Sequence, residues 1–260
     1  MRKKGSRAGK TAAVRPWARF LPLANFLLFF LLGAGIPFVG KAQQIFADRS
    51  KAAYDRTQAQ FLSQTNNPDA GWLFARACFD WADWSTNKAE RADIASNGVA
   101  ACQQSLSLSN SAPAHYYLAM NLGQLARADR IHGLKYVDRM ESEFQAAINL
   151  DPHFYFAAPD RSLGQLYRDA PSWPVSIGSR DKARDCLERT ATLAPDYPGN
   201  LLVLAESYHQ WDEDAAAKKE LAALDALWPK AQKKLATREW EQSWADWADR
   251  RETLRKALNP

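Results

Sequence analysis

The sequence predicts an all-α protein built as a stack of helical hairpins, and three observations support this fold class. One pattern of small and large side chains recurs four times along the chain. A residue that typically stops a helix, proline or asparagine, follows each copy at the same distance along the chain. A segment without glycine or proline, long enough for a helix, flanks the repeats on each side. Recurrence of this kind is typical of a solenoid, in which each unit packs only on its neighbours.

Residues 1–42 differ from the rest of the chain because they contain eight basic residues and no acidic one. An apolar segment, residues 20–39, follows the basic start, and Gly33, Gly35 and Pro37 interrupt it before a pair of small residues. This order is typical of a secretory signal peptide. The alternative is an uncleaved N-terminal membrane anchor, since about 20 apolar residues can span a bilayer. We therefore expect a periplasmic or otherwise exported protein, or one anchored in the membrane by this segment.

The charge of the remaining chain argues against a nucleic-acid partner. The whole sequence carries a net charge of +5, but without the leader 26 basic residues stand against 29 acidic ones. Binding to phosphates requires a clustered positive face. The surplus of positive charge lies in the leader, so nucleic acid is excluded as the expected partner and membrane contact is expected only through the N-terminus.

The repeated pattern is a quartet of residues at offsets 0, +4, +7 and +12. Its copies are Ala217, Leu221, Leu224 and Pro229; Ala183, Leu187, Thr190 and Pro195; Met140, Phe144, Ala147 and Pro152; and, more weakly, Gly98, Cys102, Ser105 and Asn110. The first three offsets lie on one face of a helix, where a small residue lets a neighbouring helix approach. The proline should end that helix, so we expect the last repeat to end at Pro229.

A second helix pattern precedes each quartet and completes a hairpin. Before Ala217 it consists of Leu201, Leu204, Ala205 and Tyr208, and the last repeat is 34 residues long. Length and pattern resemble the tetratricopeptide (TPR) consensus. Earlier repeats are longer and predict inserts between their two helices, including residues 130–135 and 168–178. Inserts in solenoids map to one face, which is often the binding face.

Three segments, residues 114–126, 159–167 and 170–183, look more specifically like the TPR component of TRAP-type transporters, the T-component family. The resemblance covers roughly residues 70–229. It implies an exported helical solenoid with a cavity for a ligand or partner, sometimes oligomeric, that works beside periplasmic solute-binding proteins. Lipoprotein members carry a lipid-modified cysteine directly after the leader, and this chain has no cysteine at that position.

These patterns predict a tetratricopeptide-like helical-hairpin solenoid with a C-terminal capping helix. We expect a leading helix in residues 43–68, about four hairpins in residues 69–229 and a tryptophan-rich capping helix in residues 230–260. The last segment carries an apolar stripe at helical spacing, which would either cover the final repeat or bind a partner. The stripe consists of Trp240, Trp244, Trp247, Leu254 and Leu258.

No catalytic or metal-binding motif is present. The chain has no nucleotide-binding glycine motif, no nucleophile elbow and no pair of histidines at metal spacing. The acidic run 212–214 reads as a solvated turn because it lacks the ligand spacing of a calcium loop. Cys78, Cys102 and Cys186 are either three small core residues, or Cys78 pairs with Cys102. We therefore predict a binding protein without catalytic residues, metal or cofactor.

In a TPR array the first helix of each hairpin lines a concave groove. Alignment to the consensus predicts that side chains of successive hairpins line this groove. Those in its middle are Tyr117, Asn121 and Gln124 of one hairpin, and Arg161, Gln165 and Arg168 of the next. Amide, aromatic and guanidinium groups suit a carboxylate or a peptide terminus. The alternative is that these are ordinary solvated residues, with the arginines paired to local acids.

The function predicted from the sequence is that of an exported TPR binding protein, an accessory of a TRAP-type solute uptake system or a ligand- or peptide-binding partner of it. The alternative is a general cell-envelope scaffold for protein–protein interaction without a small-molecule ligand. Expected partners are proteins, including a periplasmic solute-binding protein, and a small organic acid or peptide. Homo-oligomerisation is left open.

Overall fold

The computed structural model describes residues 41–259, which form ten α-helices, two short 3₁₀ turns and no β-strand. The helices are α1 Lys41–Ser63, α2 Pro68–Ala82, α3 Lys88–Leu108, α4 Ala112–Ala128, α5 Val137–Leu150, α6 Phe154–Asp169, α7 Arg180–Leu193, α8 Pro198–Gln210, α9 Asp214–Lys234 and α10 Glu241–Leu258. The 3₁₀ turns are Gly133–Tyr136 and Arg238–Trp240. The all-α prediction is confirmed. The predicted leader lies outside these residues, apart from its last two, which belong to α1.

Four hairpins follow one another in the chain: α2 with α3, α4 with α5, α6 with α7, and α8 with α9. The leading helix α1 packs on α2, where the Phe74 ring lies 5.3 Å from the ring of Tyr54 and 5.5 Å from that of Phe61. Asn67 begins α2 as its N-cap, because its side chain accepts a hydrogen bond from the amide of Asp69. The chain therefore forms a stack of hairpins with an extra helix in front.

The repeat positions lie in the core, as the periodicity predicts. Every residue at the first three offsets of the four quartets is buried. At Gly98 of α3 the reason for a small residue is visible, since a Cβ there would lie 2.3 Å from the side-chain oxygen of Asn121 on α4. Glycine thus permits α3 and α4 to pack closely at this point.

The prediction that the last repeat's second helix ends at Pro229 is wrong. Helix α9 continues through Pro229 to Lys234, although an internal proline typically costs about 3 kcal/mol. The turn after the proline is held in place by burial of Ala231 and by ion pairs from Lys230 and Lys234 to Asp196. The C-terminal segment is consequently not one helix from residue 230, but the end of α9, a 3₁₀ turn and α10.

Helix α6 begins with three residues in the left-handed region. Tyr155, Phe156 and Ala157 have φ angles of 45°, 60° and 58°, and the regular right-handed helix follows them. This conformation costs roughly 1–2 kcal/mol for each residue with a side chain. Ring packing offsets the cost, because Phe156 stacks on Tyr197 at 4.6 Å between ring centres. The turn aims two aromatic side chains at the last hairpin and the C-terminal segment.

All three cysteines are free thiols in the core. Burial raises the pKa of each thiol, that of Cys186 to about 11, so they behave as small apolar residues. Among the described residues, no helix combines the length and the hydropathy that a bilayer span requires.

Candidate binding groove

Aromatic rings on the first helices of successive hairpins form a continuous surface. The ring of Trp72 on α2 stacks on that of Tyr117 on α4, with planes 5° apart and centres separated by 6.1 Å. Tyr117 in turn meets Phe154, at the start of α6, edge to face at 6.4 Å. These contacts run along the inner side of the array, where TPR proteins have their concave groove.

A charged pair stands on the same face of α2 as Trp72, one and two helical turns further on. The Nε of Arg76 lies 3.9 Å from Oδ2 of Asp80, and their side chains are 43% and 47% exposed. The guanidinium of Arg76 also lies 5.6 Å from the ring centre of Tyr155. We call the surface formed by Trp72, Arg76, Asp80 and Tyr155, with the buried ring of Tyr117 beneath Trp72, the binding groove.

The surrounding protein shifts the proton affinities of this pair. Desolvation raises the pKa of Asp80 to about 6; Arg76 acts in the opposite direction, and Asp83 adds to the rise. For Arg76, desolvation lowers the pKa, but nearby Tyr117 and Asp80 outweigh it and the net pKa is raised. Arg76 therefore keeps its charge, whereas Asp80 gains or loses a proton near pH 6. The charge of the binding groove depends on pH in that range.

The C-terminal segment closes one side of the binding groove. Trp240 is buried and stacks on Tyr155 at 6.0 Å with planes 15° apart. Its neighbour Glu239 is close enough to Arg76 to contribute to its raised pKa. On the other side of Trp240 in the chain, Glu241 accepts a hydrogen bond of 2.6 Å from Nη1 of Arg49 on α1. Helix α1 and the segment before α10 thus meet beside the binding groove.

Of the first predicted set, only Tyr117 lines the binding groove, and its side chain is buried beneath the ring of Trp72. Asn121 is fully buried, and its Nδ2 donates to the carbonyl oxygens of Ala75 at 2.9 Å and Tyr117 at 2.8 Å. Gln124 is also buried, and its Nε2 donates to the carbonyl of Phe79 at 3.4 Å. The prediction that Asn121 and Gln124 project into an open groove is therefore wrong, because α2 packs directly over this face of α4.

The second predicted set lies mainly between α6 and α8. Nη1 of Arg161 donates to Oδ1 of Asn200 at 2.6 Å, and its guanidinium lies over the ring of Tyr197. The side chain of Arg168 is fully buried and makes two bonds to the carboxylate of Asp169, so its predicted groove position is also wrong. Gln165 is partly buried. The structure does not bring the six residues into one site, and ligand binding by Tyr117, Arg161 and Gln165 stays a prediction.

Sequence reasoning missed Arg76, Asp80 and Tyr155. The first quartet, which begins at Gly98, is the weakest copy of the repeat, and no groove positions are predicted for the helix that precedes it. A signal was nevertheless present, since Trp72, Arg76 and Asp80 follow one another at the four-residue spacing of one helix face. Tyr155 could not be found this way, because a left-handed turn places it. Within residues 41–259, no cluster of metal-binding side chains occurs.

Comparisons with known proteins support the fold. A family model described as "Regulator of microtubule dynamics protein 1-3" matches residues 38–158, somewhat less than half of the chain. The crystal structure of TTC0263, a TPR protein of Thermus thermophilus, is 18% identical, with 90% of this chain and 98% of that chain covered and a TM-score of 0.55. The fold is TPR-like. Comparison with curated proteins finds no match.

Two crystal structures of MamA are more distant. Both are 17% identical to this chain. The first match covers 76% of this chain and 99% of MamA, with a TM-score of 0.47. The second covers 75% of this chain and 92% of MamA, with a TM-score of 0.44. The family whose model matches is a different one from the T-component family that the sequence motifs resemble.

Proposed function

We propose that this protein is a non-catalytic TPR-type binding protein that holds a segment of a partner protein in the binding groove. The observation that carries the proposal is the Arg76–Asp80 pair, which keeps nearly half of each side chain open to solvent on an aromatic inner face. Aromatic rings supply a large contact area and lose little side-chain conformational entropy on binding. An accessible guanidinium can fix the orientation of the bound segment through hydrogen bonds.

The chemistry of the binding groove favours a partner segment with an apolar side chain next to a carboxylate. Trp72 and Tyr155 are only partly buried, so their rings can contact the apolar group. Arg76, which stays charged, can donate two parallel hydrogen bonds to the carboxylate. Asp80, ionised above about pH 6, can accept from a backbone amide or a basic group of the same segment.

The test compares two matched arginines. Arg76 and Arg139 each form an i,i+4 pair and are 43% and 48% exposed, but Arg139 lies on α5, the second helix of its hairpin. Partners captured with the full chain are identified, and their affinities are measured for the wild type, Arg76→Glu and Arg139→Glu. We expect at least about tenfold weaker binding for Arg76→Glu only, the loss of roughly one charge-assisted contact. Equal affinities for both variants would refute the proposal.

Two narrower parts of this proposal rest on sequence patterns: export directed by the leader, and an accessory role beside a TRAP-type solute uptake system. N-terminal sequencing of the protein recovered from cells tests the first. For the second, a TRAP solute-binding protein should bind the wild type and not Arg76→Glu. If no solute-binding protein and no small organic acid binds, while other envelope proteins do, the general scaffold alternative replaces the transporter role.

A further inference from the structure

The loops inside the hairpins lie at one edge of the array. Adjacent loops are tied together there, since Arg127 at the end of α4 pairs with Asp83 after α2, and the Tyr167 hydroxyl near the end of α6 donates to Glu141 near the start of α5. Helix α1 runs antiparallel to α2, so its amino-terminal half passes the same edge, where the indole of Trp84 donates to Oγ of Ser50, the tenth residue of α1. We call residues 83–87, 129–136 and 170–179 the loop edge.

Three large apolar side chains protrude from the loop edge. Ile131 is 85% exposed, Trp173 is 86% exposed and Val175 is 62% exposed. A soluble surface seldom presents a tryptophan and two branched aliphatic side chains so openly at one edge. Burying them against an apolar partner would be favourable by roughly 25 cal/mol for each Å² of apolar surface removed from water.

The loops that carry these side chains have fixed conformations. The amide of Gly178 donates to the carbonyl of Pro171 at 3.0 Å, which closes the loop around Trp173 and Val175. A Cβ at Gly178 would lie 2.0 Å from the carbonyl oxygen of Ala170. In the other loop, Gly133 likewise packs against the backbone of Ala126. The apolar side chains are thus held outward by ordered backbone.

We propose that the loop edge docks on a lipid bilayer, with Trp173, Val175 and Ile131 entering the headgroup region. Tryptophan prefers this region because its ring is apolar while its N–H can bond to headgroups or water. Basic side chains stand beside the apolar ones. Arg130 is exposed, and Lys135, Arg180 and Lys182 form ion pairs with carboxylates of the protein. Arg130 can reach lipid phosphates directly, and the other three can do so by exchanging their carboxylate partners.

The position of the chain outside the structure favours lipid over a second copy of the protein. Forty residues precede Lys41, and they include the apolar segment 20–39. The chain enters the structure at the amino end of α1, which extends past the loop edge, since Ser50 lies at that edge nine residues after Lys41. A bilayer that holds the apolar segment would therefore lie on the side to which Trp173 and Val175 point. This inference does not depend on the binding groove.

The test uses the full chain in vesicles of phosphatidylcholine and phosphatidylglycerol. A polarity-sensitive fluorophore is attached at Val175→Cys, and at Leu150→Cys as the matched control, since Leu150 is an exposed apolar residue at the opposite edge. The three native thiols are buried with raised pKa values and should not react. Both labelled positions are exposed, so folding should be unaffected.

We expect the label at residue 175 to shift its emission to the blue and to be quenched at least about twofold by a lipid-attached quencher, as for a group in the headgroup region. The label at residue 150 should not respond, and a label at Ile131→Cys should behave like that at 175. A label at 175 that stays in water, or equal responses at 175 and 150, would overturn the proposal. A response in native membranes but not in pure lipid would overturn it in favour of a protein partner.

Discussion

At the scale of single residues, the contact between Gly98 and Asn121 shows how one side chain sets the distance between two helices. We expect Gly98→Ala to lower the free energy of unfolding by about 1–3 kcal/mol, because its Cβ would overlap the buried amide of Asn121. Gly123→Ala is the matched control, since its nearest neighbour is the flexible end of Met140 at 3.2 Å. Denaturant titrations measure both variants, and equal stabilities would contradict the argument.

Asp80 gives a pH-dependent prediction. Its folded-state pKa, about 6, lies above the usual aspartate value of about 3.9. The protonated carboxyl therefore contributes stability that is fully present below pH ~4 and is lost as the pH rises through about 6. Asp80→Asn keeps a neutral side chain, so it should gain stability relative to the wild type over that window. The gain should be modest because the group is half exposed.

Denaturation midpoints of the wild type and Asp80→Asn, measured from pH 4 to pH 7, check this prediction. Asp138→Asn, an exposed carboxylate on α5, serves as the control and should run parallel to the wild type. A difference between wild type and Asp80→Asn that does not change with pH, or that falls as the pH rises, would show that desolvation does not govern the Asp80 carboxyl.

The buried amide side chains of Asn121 and Gln124 show what could not be predicted from the sequence at the scale of single residues. The alignment placed Asn121 and Gln124 at groove positions, since their spacing on α4 is that of the consensus. Their actual environment depends on how closely α2 and α3 approach α4. Those distances depend on residues far away in the chain, such as Ala75 on α2 and Gly98 on α3. A local pattern identifies the face of a helix but not the depth to which a neighbour covers it.

At the scale of elements, the start of α6 departs from what its sequence predicts. Ala157 and Ala158 are adjacent and both fully buried, but Ala157 has a φ of 58° and Ala158 begins the regular helix. We expect Ala157→Gly to be neutral or stabilising by up to about 1 kcal/mol, because glycine adopts this region without strain. Ala158→Gly should destabilise by about 0.4–1 kcal/mol, because alanine fits the right-handed conformation there and glycine gives the unfolded chain more conformational freedom. Unfolding free energies test the pair, and a larger loss for Ala157→Gly would argue against the left-handed turn.

The quartets, the start of α6 and the end of α9 together show which parts of the fold can be predicted from the sequence. The quartets predicted buried faces correctly, because a repeated spacing of small and large side chains is a local signal. The left-handed turn and the passage of α9 through Pro229 were not predicted. Both conformations cost local energy and are supported by distant groups, the rings around Trp240 and the contacts of Lys230 and Lys234 with Asp196.

At the scale of the whole molecule, α10 completes the last hairpin. Trp247 is buried against Tyr197, with ring centres 5.2 Å apart. Arg250 makes two hydrogen bonds, of 2.9 and 2.6 Å, to the buried carboxylate of Glu206 on α8. Without α10 this carboxylate would lose its charged partner, and the apolar side of α8 and α9 would face water. A solenoid end of that kind is expected to associate with other copies.

We therefore expect truncation after Lys234 to produce a protein that aggregates and unfolds at a lower temperature than the full chain. The cut follows the end of α9, so no helix is interrupted. The control is Lys256→Ala, on the exposed side of α10. It should leave the molar mass in solution and the melting temperature unchanged. Light scattering and thermal melts measure both. A truncated chain that stays monomeric and melts like the wild type would mean that the four hairpins close their own end, and that the tryptophan-rich segment serves the binding groove alone.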